Sequence, residues 1–213
     1  MMAARLGDTT AHGTPLMPGL GCLTVLIGGQ PAWRALPSAM ASAMESISNT
    51  MQQFMLQPVM TPADATASLV RISQTLTQGA ATAAANGAPA ASATAGTAVA
   101  AMNAANGVLT TAWTAASAVP GGQPAANIAY TKGIQTAAGA AAIAVVASMF
   151  GISDMHVCPI PVPIPPHGPG FVTRGSSSVK IGNLPAARVG DQVYEALGGP
   201  DPIAMGCPTV MIG

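Results

Sequence analysis

The 213-residue sequence predicts an α+β protein: a small, roughly threefold β-hairpin structure built from both ends of the chain, with an alanine-rich helical region inserted between them. Three observations predict it. A short pattern recurs at residues 24–34, 178–191 and 209–213. The last copy reads Thr-Val-Met-Ile-Gly, and its complement, Ala-Ala-Arg-Leu-Gly-Asp, occupies residues 3–8. Between these segments the composition shifts to Ala, Thr, Ser, Gly and Met.

Each repeat reads as a hairpin. Val25/Ile27, Val179/Ile181 and Val210/Ile212 sit two apart, so both members of a pair face one side of a strand. Gly28-Gly29 and Gly182-Asn183 are two-residue hairpin turns. Pro31 and Pro185 then open the return strands, where proline is tolerated. Every copy follows a glycine, as Gly21-Cys22, Gly175-Ser176 and Gly206-Cys207. Such hairpins cannot bury their apolar faces singly and should pack about a shared axis. The first and last residues should then lie side by side. Arg5, Arg34 and Arg188 recur with the repeat; a ring pairing with Asp8 and Asp191 is preferred to a solvated edge.

Residues 154–170 carry prolines at 159, 161, 163, 165, 166 and 169, which rules out a helix and disfavours a central strand. A stiff extended rod is expected. On it stand His156, Cys158 and His167, residue types suited to zinc. His156 and Cys158, two apart, would point the same way on an extended strand. A fourth ligand is missing locally, and solvated histidines are the plain alternative. Cys22 and Cys207, at equivalent repeat positions, read as small buried hydrophobes.

In the insertion, Met40, Met44, Ile47, Met51, Phe54 and Met55 have helical spacing, and that helix stops before Pro58. Thr61-Pro62 starts a second helix, with Thr as N-cap and Pro at the first position, and Leu69, Ile72 and Leu76 on one face. Breaks at Asn86-Gly87-Ala88-Pro89 and Pro120-Gly121-Gly122-Gln123-Pro124 leave a last helix over about 125–149, for four or five in all. No residue between Arg71 and Lys132 is charged. Even so, the most apolar stretch, Ala137 to Ile152, falls short of the roughly 20 residues a membrane span needs. A helical bundle is the first reading, membrane-inserting helices the second and disorder the third.

Charged residues are 7% of the chain and the formal net charge is zero, which argues against nucleic acid as a partner. Alanine buries little area, so a thin or elongated core is expected. Three cysteines without small-scaffold spacing make a disulfide framework unexpected. Nothing at the N-terminus reads as a secretory signal, so synthesis in a reducing cytosol is expected.

The Pro185-Ala186-Ala187-Arg188 segment, its degenerate copy Pro31-Ala32-Trp33-Arg34 and the repeats around them resemble the PAAR-repeat proteins. The opening Ala3-Ala4-Arg5-Leu6-Gly7-Asp8-Thr9-Thr10-Ala11-His12 is similar to the prePAAR pattern A-A-R-x-x-D-x-x-x-H. The resemblance covers residues 1–37 and 153–213 and leaves 38–152 as a separate helical insertion. Trp33 departs from the pattern, as does Ala35-Leu36-Pro37 where Val-Gly-Asp is expected.

The resemblance implies a conical, non-enzymatic spike tip that caps a trimeric VgrG-like spike of type VI secretion or a related contractile injection system. It implies a structural zinc at the apex, held by His12, His156, Cys158 and His167. A closed tetrahedral set leaves no open position for catalysis, so a zinc hydrolase is disfavoured. The competing expectation is an adaptor or effector carrier whose insertion recruits cargo, a chaperone or the target membrane. A cargo would be encoded separately or fused beyond Gly213. Synthesis in the bacterial cytoplasm, followed by delivery through the apparatus, completes the reading.

Overall fold

In chain order the elements are β1 (Met2–Ala3), β2 (Cys22–Ile27), β3 (Gln30–Ala32), α1 (Ser38–Met55), α2 (Pro62–Ala85), α3 (Ala90–Ser117), α4 (Gln123–Ala147), β4 (Met155–Pro161), β5 (Pro166–Val172), β6 (Lys180–Ile181), β7 (Leu184–Pro185), β8 (Gln192–Glu195), β9 (Gly199–Pro202) and β10 (Cys207–Met211). The computed structural model describes residues 1–161 and 166–213.

The three repeats form three antiparallel pairs, β2–β3, β6–β7 and β1–β10, and the last joins the two chain ends. Met2 lies opposite Met211, and the Met1 amino group donates to the Ile212 carbonyl at 2.8 Å. At the two internal turns Gly28, Gly29, Gly182 and Asn183 all have positive φ, as a two-residue turn of this hand requires. The equivalent side chains stack in one layer, with Ile27, Ile181 and Ile212 beside Cys22, Cys207, Ala3, Ala32 and Ala186. Cys22 meets Thr24, Cys207 meets Thr209 and Ser176 meets Ser178 in the same way, at 3.4, 3.3 and 3.3 Å. The glycine before each repeat has a shared cause. A Cβ would stand 3.0 Å from the Ala32 carbonyl at Gly21, 2.7 Å from that of Ala186 at Gly175 and 2.8 Å from that of Ala3 at Gly206.

Main-chain hydrogen bonds close the repeats into a ring. The Ala4 amide donates to the Ala187 carbonyl, the Ala187 amide to Trp33 and the Trp33 amide back to Ala4, at 2.9, 2.9 and 3.0 Å. A second ring layer runs from Leu6 to Pro31, Ala35 to Pro185 and Val189 to Met2. Ala4, Trp33 and Ala187 pack in one buried cluster with Leu16, Val172 and Val193. Trp33 is accommodated in an alanine position because Gly19 lies against its ring, leaving no room there for a Cβ.

Arg5 grips Asp8, and Arg188 grips Asp191, through the arginine backbone amide, Nε and a terminal nitrogen. The Arg34 amide, Nε and terminal nitrogen meet Asp154 in the same manner, at 2.9, 2.8 and 2.8 Å. The third repeat therefore has its aspartate, but 120 positions downstream. The helical region is spliced into the turn between them.

The proline-rich strip is a strand pair, which corrects the expectation of a rod unable to occupy a sheet interior. β4 pairs with β5 in a four-stranded sheet of order β4-β5-β8-β9. Pairing with β8 involves only Gly170, Phe171 and Val172, so the prolines of β5 owe it no amide hydrogen. Alongside the proline-bearing half, the carbonyls of Pro169 and His167 still accept from Ala196 and Leu197. The rod reading at Pro163 and Pro165 lies outside the described residues. Bridges Thr9↔Pro15, Thr10↔Ile203 and Pro18↔His156 make residues 9–18 a further hairpin that joins both outer strands of this sheet.

The four helices fall where the periodicities and breaks place them. Met40, Met44, Ile47, Met51 and Phe54 of α1 are buried against Leu69, Ile72 and Leu76 of α2. Thr61 and Asp64 form a reciprocal capping box at the start of α2, with Pro62 following. The same core takes in Phe171, Ala196 and Leu197, so the bundle rests on the sheet. No helix among the described residues is long and apolar enough to cross a membrane.

Candidate metal centre

An Arg–Asp grip ends the ring layer in each repeat, and the chain then rises toward one end of the structure. Four residues past each aspartate stands a side chain with a donor atom: His12 after Asp8, Cys158 after Asp154 and Glu195 after Asp191. The threefold arrangement thus converges an imidazole, a thiol and a carboxylate. His167, from the start of β5 across the hairpin from Cys158, is the fourth member. The ligand atoms of His12, Cys158, His167 and Glu195 all lie within 4.8 Å of one another. Cys158 Sγ is 3.7 Å from Nδ1 of both His12 and His167. Glu195 Oε2 meets His167 Nδ1 at 2.5 Å, and Oε1 lies 3.4 Å from His12 Nδ1. The two imidazoles cross edge to face with centroids 4.9 Å apart.

His156, expected from the sequence to join this set, shares the buried face of β4 with Cys158 while Val157 points out. Its ring is already engaged: Nδ1 donates to the Pro15 carbonyl at 2.8 Å, and Nε2 faces the Thr14 hydroxyl at 3.2 Å. It belongs to an adjoining group with Glu195 and Asp201, its Nε2 3.7 Å from Glu195 Oε1. Asp201 supports His12 twice, accepting from its backbone amide at 3.1 Å and standing 3.1 Å from Nδ1.

The electrostatics are those of a cation-seeking site. Glu195 and Asp201 are fully buried, and among the described residues Glu195 Oε1 and Asp201 Oδ2 have no hydrogen-bond partner. Orphaned buried carboxylate oxygens are costly unless a positive group satisfies them. Burial pushes the Glu195 carboxyl upward. The neighbouring His156 and Cys158, with the charges of His167 and His12, outweigh this and hold it below the ordinary range. Burial, reinforced by the Glu195 charge, lifts the Cys158 thiol to about 11. A divalent ion would favour the thiolate and give Glu195 Oε1 a partner, so these residues fit a metal. Sequence reading passed over Glu195 and Asp201; counting four residues from each repeat's aspartate finds the first.

The helical insertion reaches this end as well. The Ser48 hydroxyl of α1 donates to the Glu195 carbonyl at 2.6 Å, and Ile143 of α4 lies against Gly168 beside His167.

A threefold hairpin body closed by both chain ends, with a His/Cys/carboxylate cluster at one end, defines a small symmetric tip. A family model for the PAAR motif matches residues 163–213, so the C-terminal part of the chain carries a PAAR motif. This motif associates it with the spike tip of type VI secretion. No curated protein and no solved structure shows significant similarity to the chain.

Proposed function

We propose that the protein is a non-enzymatic tip that caps a trimeric VgrG-like spike and sharpens it for envelope penetration. One observation carries the reading: the closed ring of amides through Ala4, Trp33 and Ala187 gives a single chain threefold symmetry, which suits a trimeric partner. The docking end would be the hairpin layer, where Leu23, Leu26 and Met211 are exposed apolar side chains. A structural zinc at the opposite end, held through His12, Cys158 and His167 and one further ligand, would stiffen the point. With two body segments, 1–37 and 153–213, and a helical insertion, 38–152, the chain would serve as tip and carrier together. Its path would run from the bacterial cytoplasm into the delivered apparatus.

A second reading makes the insertion the working part, recruiting an effector, a chaperone or the target membrane. An open groove between α3 and α4, lined by Ala98, Ala101, Met102, Ala137 and Ala141, and the exposed Val108 and Ile128 favour it. The test is a binding experiment with a purified trimeric spike, read by light scattering. One tip chain per three spike chains is expected, and Leu26→Asp should weaken capture at least tenfold. Absence of a complex, with a partner retained only through the helices, would replace the first reading by the second.

A further inference from the structure

We infer that Glu195 is the fourth metal ligand at the apex, and that His156 is a positioning residue behind it. The inference rests on the proposal that the apex holds a metal and specifies its donor set as two imidazoles, one thiolate and one carboxylate.

Three observations support it. First, Glu195 occupies in its repeat the place that His12 and Cys158 occupy in theirs, four residues after the gripped aspartate. The threefold axis therefore aims all three at one point. Second, the spacings suit one tetrahedral ion. Zinc–sulfur bonds near 2.3 Å and zinc–nitrogen or –oxygen bonds near 2.1 Å set S···N edges of roughly 3.6 Å and N···O edges of roughly 3.4 Å. The corresponding separations are 3.7 Å for Cys158 to each histidine and 3.4 Å for His12 to Glu195 Oε1. Third, Glu195 Oε1 is buried without a hydrogen-bond partner among the described residues.

His156 has different surroundings. Its Nδ1 proton is committed to the Pro15 carbonyl, which fixes the ring, and Nε2 lies between the Thr14 hydroxyl and Glu195 Oε1. A ring so held can orient the carboxylate from behind, as outer partners of metal ligands do. Thiolate and carboxylate ligands together balance the two positive charges of a divalent ion.

Zinc affinity of the full chain, measured by competition with a chromophoric chelator, tests the assignment, with circular dichroism to confirm folding. Wild type should bind one zinc. Glu195→Gln should lose more than about a hundredfold in affinity, whereas His156→Gln should lose about tenfold, the scale of an outer partner. Glu195→His restores a ligand and should recover binding, and the cobalt-substituted form should show an altered visible spectrum. A wild type that binds zinc while Glu195→Gln binds equally well and His156→Gln does not would overturn the assignment alone. A wild type that takes up no zinc would overturn the metal reading and the assignment together.

Discussion

In the hairpin body, order comes from polar connections: amide rings through Ala4, Trp33 and Ala187, and three carboxylates each gripped by an arginine. The side chains between them are small, and Trp33 is the one large exception in the ring. In the helical insertion the balance is reversed. Met40, Met44, Ile47, Leu69, Ile72 and Leu76 make a buried seam, while most polar side chains bond only within their own helix or face solvent. The body is specified by geometry that tolerates little change, and the bundle by apolar area that tolerates exchange of like for like. The difference also fits their places: a tip must keep its symmetry, whereas an insertion need only stay folded.

Two tryptophans, Trp33 in the body and Trp113 on α3, allow each region to be followed separately in single-tryptophan variants. The largest effect should come from Asp154→Ala. Asp154 is nearly buried and takes three hydrogen bonds from Arg34, so its loss strands a charge and a backbone amide. About 3–5 kcal/mol of destabilisation is expected in denaturant titrations followed by Trp33. An unchanged midpoint would show that the third grip is dispensable. Ile72→Ala should cost about 2–4 kcal/mol, chiefly in the Trp113 signal, because Ile72 is fully packed in the seam. Equal shifts in both signals would mean that the two regions unfold as one unit, through the shared packing of Phe171, Ala196 and Leu197.

The smallest effect concerns the start of α2. The Thr61 hydroxyl and backbone amide hold the Asp64 carboxyl below its ordinary value. A group depressed in the folded state contributes fully above its unfolded pKa and loses that contribution as pH falls through the folded one. Helical content should therefore decline slightly below about pH 4, and Asp64→Asn should remove that dependence while leaving the neutral-pH signal nearly unchanged. A decline of equal size in the variant would assign it to other carboxylates.

Much of this was legible from short-range pattern. The pairs Val25/Ile27, Val179/Ile181 and Val210/Ile212, with their glycine turns, announce the hairpins, and Thr61-Pro62 announces a helix start. Arg5–Asp8 and Arg188–Asp191 are close enough in sequence to be paired by inspection. Arg34 was not, because the insertion separates it from Asp154. The proline strip misled because proline was weighed as a missing donor, while its carbonyl remains a full acceptor, as Pro169 shows. Glu195 went unnoticed since a glutamate near a strand end ordinarily faces water, and only the fold reveals that this one does not. The second half of α3 is harder to read: the helix's fully buried residues, Ala91, Ala95, Ala98 and Met102, all lie in its first half, and beyond them Leu109 and Trp113 pack only partly against the core.

The splice between Arg34 and Asp154 has a consequence for how such a chain can change. The two residues touch at 2.8 Å, so the polypeptide leaves and re-enters the body through a doorway one ion pair wide. To the body, everything beyond that doorway is a loop, and doubling the length of a flexible loop adds only about 0.6 kcal/mol of closure entropy. A segment with neighbouring ends could hang from the same hinge pins without disturbing the ring, provided that it also covers Phe171, Ala196 and Leu197. The site is a mounting bracket, and the helices are what this protein has fastened to it.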